Sequence, residues 1–206
     1  AIRSMFSPGP ASIRSVAVMP FTNHTGNSEQ EYLADGLTQL VIGNLAQLKS
    51  LRVISSTSSM AYKQAGKPLS TIAGELKIDG IIEGAINRSG DQIQVSVRLV
   101  RANEEHVWGH TYELPGVDLF KVHSDISEMV ATAIRLPLTD AERRDVTRSQ
   151  GVNVQAQEAF LRGLHRLNDV RAESLKRALN DFNEAIQLNP QFARAYAALC
   201  RCYLLL

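Results

Sequence analysis

The sequence predicts an α+β fold in two parts, a three-layer-like α/β domain with a mixed sheet followed by an all-helical segment. Three observations lead to this prediction. Short β-branched runs alternate with helical patterns over the first 86 residues, a strict apolar-polar alternation follows, and no strand signal occurs beyond about residue 153. The 206 residues are 44% hydrophobic, which is enough to bury a sizeable core.

The first elements are a buried strand and a long amphipathic helix. The run Ser15–Phe21 is apolar and ends in the turn-rich residues 23–27, as expected for a first strand and its loop. Ser28 and Glu31 have the spacing of a capping box, which would start the helix. Its apolar positions then recur at helical spacing: Leu33, Leu37, Val41, Leu45 and Leu48.

The next elements complete a β-α-β-α-β order and then change to an antiparallel meander. Residues 51–54 and 78–86 are predicted strands, residues 70–77 a short helix, and the polar residues 55–59 a loop. The alternation of Ile93, Val95, Val97 and Leu99 predicts a strand with one wet face, entered through a turn at 88–91. A turn at 103–105 leads to a last strand over 106–112.

A closing helix and a purely helical segment follow. The closing helix has its apolar positions at Phe120, Val122, Ile126, Met129, Val130 and Ile134, and it ends before Pro137. Thr139 and Glu142 form a second capping box that starts a connecting helix. The chain is therefore divided into a linker (1–12), an α/β domain (13–136), a connecting segment (137–152) and a helical array (153–206).

The helical array carries the residues of a known repeat. Helices are predicted over 156–168 and 174–188, with a third beginning near Phe192. The second helix and the residues after it resemble the tetratricopeptide (TPR) family at Ala178, Phe182, Ala185, Pro190, Tyr196, Leu199 and Tyr203. The resemblance implies about one and a half repeats in a truncated array. It departs from the pattern around Gly163 and at Cys200, as expected for an atypical first repeat.

Residues 13–136 resemble the TolB-like amino-terminal domain of bacterial sensory proteins. The resemblance rests on five segments: Val16–Asn23, Tyr32–Thr38, Leu51–Ser55, Ile82–Gly84 and His106–Trp108. It implies the sensory region of a membrane-linked transcription regulator of the CadC or ToxR type, with a winged-helix domain elsewhere in the protein. The alternative is an adaptor or accessory region of a nucleotide cyclase or a Ser/Thr kinase. The resemblance also implies an extracytoplasmic, periplasmic location, with a cytoplasmic one as the alternative.

Composition argues against several classes of function. The 22 basic and 21 acidic residues are interleaved, which does not favour a nucleic-acid surface in this part of the protein. No apolar stretch has the length of a membrane span. Cys200 and Cys202 are two residues apart in a predicted helix, where their side chains point in different directions, so they are expected to pack as small apolar residues without a mutual disulfide.

Residues for catalysis or for metal binding are not grouped by the sequence. His106 and His110 would share a face of a strand, but roughly 13 Å would separate them, too far to share one metal ion. No G-x-S-x-G elbow surrounds the serines, and Gly66-Lys67 lacks the remainder of a phosphate loop. We therefore expect no metal, no cofactor and no enzymatic activity.

The candidate binding residues lie on two surfaces. By the repeat's spacing, Asn168, Arg194 and Arg201 should face a groove, where two arginines favour an acidic protein or peptide partner. Trp108 and Tyr112 could form an aromatic patch for a partner, or could pack under the long helix. A homodimer is an open alternative for the partner.

Overall fold

One mixed sheet organises the first part of the chain. The computed structural model describes residues 12–89, 92–115, 119–147, 153–169 and 171–206. Within them six strands form the sheet, in the order β3-β1-β4-β5-β6 with β2 beside β4. Pairing is parallel between β1 and its neighbours and between β2 and β4, and antiparallel from β4 to β6. The strands are β1 Ser15–Val18, β2 Thr22–His24, β3 Arg52–Val53, β4 Gly80–Ser89, β5 Gln92–Arg101 and β6 His106–Pro115.

Helices cover both faces of this sheet and make up the second part of the chain. They are α1 Glu31–Leu45, α2 Ser56–Met60, α3 Leu69–Leu76, α4 Leu119–Ala133, α5 Asp140–Thr147, α6 Val154–Leu167, α7 Ala172–Leu188 and α8 Ala193–Leu205. Val16, Val18 and Ile82 pack with α1 and α4 in the main core. Ala17 and Ile81 point to the opposite face and pack with α3 in a smaller core. The predicted mixed α/β fold is confirmed.

The start of the sheet is fixed by one carboxylate. Asp79, just before β4, accepts hydrogen bonds from the backbone N–H groups of Arg14 (3.0 Å) and Ser15 (2.9 Å) and from the Ser15 hydroxyl (2.7 Å). These bonds join two segments that are 64 residues apart in sequence. Asp79 therefore sets the position of β1 against β4, and with it the position of α1.

Local structure differs from the sequence prediction at three places. Ser28 does not form a capping box, because the Asn27 side chain accepts from the Glu29 N–H and caps a 3-10 turn over Ser28–Gln30. Strand β2 lies in the segment predicted as a loop, since its backbone pairs with β4. Residues 55–59 are not a loop, because the Ser55 side chain caps helix α2. The predicted β-α-β-α-β order thus lacked β2 and α2.

Other local predictions hold. Thr139 and Glu142 form the reciprocal capping box at the start of α5, with the Thr139 N–H donating to Glu142 Oε2 at 2.9 Å and the Glu142 N–H to Thr139 Oγ1 at 3.2 Å. Both cysteines are free, Cys202 buried and Cys200 exposed. The prediction for Met129 is wrong, because this residue, predicted on the apolar face of α4, is 40% exposed. Residues 1–11, 90–91 and 148–152, in the predicted linker, turn and connecting segment, lie outside the described residues.

The main core continues from the α/β part into the helical part. Phe120 of α4 contacts the rings of Phe160 (6.0 Å between centroids) and Phe192 (5.6 Å), and Phe160 contacts Phe182 of α7 (5.8 Å). Helices α6 and α7 approach closely at Gly163, where a Cβ atom would lie 2.5 Å from the Phe182 ring. The two parts therefore share one hydrophobic cluster.

Candidate functional site

Helix α1 joins the sheet to the helical part, and its contact with α6 centres on Gly36. A Cβ atom at Gly36 would lie 2.5 Å from Cδ2 of Leu161, so only glycine lets Leu161 seat against the helix. Leu161 is fully buried in this position. Helix α1 is thus in contact with the sheet on one side and with α6 on the other.

A charged network next to Gly36 strengthens the same junction. The buried carboxylate of Asp35 accepts from His165 Nδ1 of α6 at 2.7 Å and from the ammonium group of Lys63, which also pairs with Glu31 at 2.8 Å. Burial raises the pKa of Asp35, but the hydrogen bonds from His165 and Lys63 outweigh it and bring the pKa below its usual value. Asp35 is therefore ionised at neutral pH and holds α6 against α1.

A groove opens where α1, α6 and α8 meet, with a volume of about 320 Å³. Leu40 of α1 and Phe160, Leu164 and Leu167 of α6 give it apolar walls. Gly43 of α1 leaves open space, since no heavy atom lies within 4 Å of a Cβ built there. The groove therefore has apolar walls and is open beside Gly43 of α1.

The predicted groove residues lie around this opening. Arg194 and Arg201 of α8 both line it. Asn168 lies at its edge, where its Oδ1 accepts from Gln39 Nε2 at 3.1 Å, while the same amide group of Gln39 donates to the Leu164 carbonyl at 3.2 Å. Asn168 and Arg201 are exposed, whereas Arg194, predicted to face solvent, is partly buried.

Arg194 is partly buried without a carboxylate partner in the described part of the chain. Its guanidinium lies 5.7 Å from the centre of the Phe120 ring and donates to Nε2 of His123 at 3.1 Å. Burial lowers the pKa of His123 to about 4, and the charge of Arg194 acts in the same direction, so the ring is neutral at neutral pH and can accept this bond. Burial also lowers the pKa of Arg194 itself.

The second predicted surface, on β6, is reorganised by a β-bulge. Val100 pairs with His106 and Leu99 with Trp108, which makes Val107 an extra residue in β6. The prediction that His106 and His110 share a face is wrong, because the bulge places His106 opposite Val100 of the smaller core and leaves His110 opposite Val97 of the main core.

Trp108 and Tyr112 lie together on the face of the main core. Trp108 stacks on His110 (6.5 Å between centroids), and Tyr112 meets the same ring edge-on at 4.6 Å. Both side chains are partly buried and pack against the main core. Burial raises the pKa of Tyr112 to about 12, with Asp125 acting in the same direction. Trp108 and Tyr112 therefore pack against the main core and remain partly exposed.

A second cavity, of about 480 Å³, lies at the carboxyl end of β1. Lys63 and Lys67 line it, but Lys63 pairs with Glu31 and Asp35, and Lys67 pairs with Glu75 at 2.6 Å. Within the described ranges no group of three or more His, Cys, Asp or Glu could hold a metal ion. None of the described helices has the length and apolarity to cross a membrane.

Arg194 and Arg201, predicted from the sequence, line the groove, and its α1 wall was not predicted. Gly36, Gln39 and Gly43 were not predicted to contact the helical part, because helical periodicity identifies only the face of α1 that points to the sheet. The sequence signal for this contact was the segment Tyr32–Thr38, in which the charged Asp35 and the small Gly36 interrupt the apolar pattern.

Fold and site together define an α/β domain with a mixed sheet that carries a packed helical hairpin. The chain belongs to the family of HilA/YgeH-like transcriptional regulators, whose second domain matches residues 12–131. A curated relative named Putative adenylate cyclase 3, from Rhizobium meliloti (strain 1021), is 30% identical over 189 residues. That match covers 90% of this chain, which spans 32% of the relative's length.

Solved structures show similarity at a lower level. TolB from Acinetobacter baumannii is 15% identical with a TM-score of 0.44, and the match covers 61% of this chain and 29% of TolB. The lipoprotein GNA1162 from Neisseria meningitidis is also 15% identical, with a TM-score of 0.43, and the match covers 61% of this chain and 99% of the lipoprotein.

Proposed function

We propose that the chain is the non-catalytic sensory and protein-interaction region of a bacterial transcription regulator, and that helix α1 transmits the binding signal. The observation that carries the proposal is the close packing of Leu161 of α6 against Gly36 of α1. Gly36 lies inside the domain that matches the regulator family. A partner that moves α6 would have to move α1, because at Gly36 the contact with Leu161 leaves no space for even a methyl group.

In this proposal helices α6 to α8 begin a TPR array. The fully buried Phe182, the close approach of α6 and α7 at Gly163, and the end of α7 just before Pro190 support it. The extracytoplasmic location is part of the same proposal and rests on the resemblance to the TolB-like domain. An alkaline phosphatase fused after Leu206 in the parent protein should be active if the location is correct, and inactive in the cytoplasm.

The test of signal transmission is a substitution at the α1–α6 contact in the parent protein. Gly36→Ala should change the output, measured as transcription from a regulated promoter, at unchanged protein abundance, because the new methyl group displaces Leu161. Leu161→Ala in the same protein should restore the output. Gly43→Ala is the matched control, since its methyl group enters open space. An output that Gly36→Ala leaves unchanged would contradict the proposal.

A second candidate function is a regulatory region of a nucleotide cyclase. The relative named as an adenylate cyclase favours it, because the match extends over 90% of the chain and therefore includes the helical part. The same Gly36→Ala variant separates the two candidates. A change in cyclic nucleotide formation by the parent protein would assign it to the cyclase class, and a change in promoter activity alone to the regulators.

A further inference from the structure

The groove between α1, α6 and α8 has an unusual charge distribution. Arg194 and Arg201 are the charged residues among the described ones that line it, and no acidic side chain of the described ranges does so. Among the described residues no carboxylate lies within the 4 Å of an ion pair from either guanidinium. The other partly buried arginines nearby are paired, Arg162 with Glu184 at 2.8 Å and Arg166 with Asp181 at 2.5 Å.

A partly buried guanidinium without a counter-charge is energetically costly. Arg194 has lost part of its hydration, and its contacts with Phe120 and the neutral His123 replace only some of it. A carboxylate that approaches Arg194 from the groove would form a charge-assisted hydrogen bond with little further desolvation of the arginine. The groove is therefore preorganised for an acidic group.

The shape of the groove indicates what kind of molecule carries that acidic group. Arg194 and Arg201 are seven residues apart on α8, which separates their backbones by about 10 Å along the helix. Two carboxylates seven residues apart on a partner helix would match this separation, whereas one small carboxylate would be held by one arginine. Gly43, Ala197 and Ala198 leave room for close approach of a helix, and Leu164 and Leu167 would contact its apolar face.

We propose that this groove binds an amphipathic helix of a partner protein through two of its carboxylates, one on Arg194 and one on Arg201, with Gly43 keeping the groove open. The inference rests on the proposed function, because it names the partner of the same interaction region. It adds that helix α1 of the regulator domain forms one wall of the binding site, so the partner contacts both parts of the chain at once.

The test uses a set of fluorescent helical peptides with leucines at i, i+3, i+4 and i+7 and two glutamates seven residues apart, placed in each register. Fluorescence anisotropy with residues 1–206 should show binding by at least one register that weakens with salt. The matched peptide with glutamines should bind on the order of tenfold more weakly. In NMR spectra the Nε–H signals of Arg194 and Arg201 should shift on titration.

Two variants of the protein locate the binding. Arg201→Glu should weaken binding of the glutamate peptide by tenfold or more. The control is Arg177→Glu on the exposed surface of α7, where Arg177 pairs with Glu173 at 3.3 Å, and it should leave binding unchanged. Gly43→Trp should abolish binding by filling the groove, whereas Gly43→Ala should retain it, since its methyl group has no heavy atom within 4 Å. The melting temperature of each variant shows that the fold is intact.

Several results would overturn this inference. These are absence of binding by every register, equal affinity for the glutamate and glutamine peptides, or full binding by Gly43→Trp. Displacement of the peptide by free glutarate at micromolar concentration would instead assign a small-carboxylate site, and self-association lost in Gly43→Trp would assign a second copy of the chain. If Gly36→Ala still changes the output of the parent protein, the proposed function survives such a failure.

Discussion

At the scale of single residues, Asp35 shows how one buried charge can connect two parts of a chain. Its carboxylate is almost fully buried, at 4% side-chain exposure, and it accepts from Lys63 of the α/β part and His165 of the helical part. Lys63 donates to Oδ1 and His165 to Oδ2 of the carboxylate, so the loss of either bond leaves a buried acceptor oxygen unpaired. The residue is therefore structural, and its position next to Gly36 makes it part of the junction.

The first prediction concerns Asp35→Asn. The pKa of Asp35 is lower in the folded chain than its usual value of 3.8, so its ionised form adds stability above that pH, which is lost as the pH falls through the folded pKa. The variant should be less stable by about 2 kcal/mol at pH 7. The difference from wild type should shrink below about pH 4, as measured by urea unfolding across pH.

Glu31→Gln is the control for that series. Glu31 shares the Lys63 ammonium but is one-third exposed, so its loss should cost clearly less at pH 7. A constant difference between wild type and Asp35→Asn from pH 7 to pH 3 would show that the Asp35 charge does not stabilise the junction.

At the scale of elements, the pairs of helices are set by glycine opposite a large side chain. Gly163 of α6 faces the Phe182 ring of α7, and Gly36 of α1 faces Leu161 of α6, with a hypothetical Cβ at 2.5 Å in both cases. At that distance a methyl group must displace the partner side chain. The same kind of contact, a glycine against a large side chain, therefore stabilises both the packing of α6 on α7 and the packing of α6 on α1.

The second prediction tests the hairpin contact. Phe182→Ala should cost about 3 to 5 kcal/mol because the ring is fully buried, and Gly163→Ala should be destabilising through the clash with that ring. The double variant should cost less than the sum of the two, because the alanine methyl then fills part of the space left by the ring. Chemical denaturation of the four proteins measures this coupling.

Gly43→Ala is the control for the glycine substitution, since its methyl group meets no atom and should raise helix stability by up to about 1 kcal/mol. If the losses of unfolding free energy in the Gly163→Ala and Phe182→Ala variants add up to the loss in the double variant, Gly163 and Phe182 do not constrain each other.

At the scale of the whole molecule, the sequence predicts those features that depend on local periodicity. The buried positions of α1, the wet face of β5 and the capping box at Thr139 follow from patterns within one element, and the structure has them. Strand β2 is determined by pairing with the distant strand β4, and the bulge at Val107 by the register between β5 and β6, and the apolar pattern of a single strand contains neither.

The candidate site divides in the same way. Arg194 and Arg201 were predicted from spacing within the repeat, and the structure places both in one groove. The α1 wall was not predictable, because it depends on how the two parts of the chain pack together. The partial burial of Arg194 has the same origin, since the residues that cover it, Phe120 and His123, belong to α4.

The last prediction belongs to the whole chain: residues 1–206 should not bind duplex DNA with specific affinity, although the family consists of transcriptional regulators. Duplex binding requires several cationic side chains presented together. Here 22 basic and 21 acidic residues leave a net charge of +1, and many of the arginines are neutralised in ion pairs, such as Arg98 with Glu83 and Arg166 with Asp181. Fluorescence titration with a promoter duplex at physiological salt should give no saturable signal, while a form extended by a winged-helix domain should bind. Nanomolar, sequence-specific binding by residues 1–206 alone would make the chain a nucleic-acid module and would remove the basis for a purely sensory role.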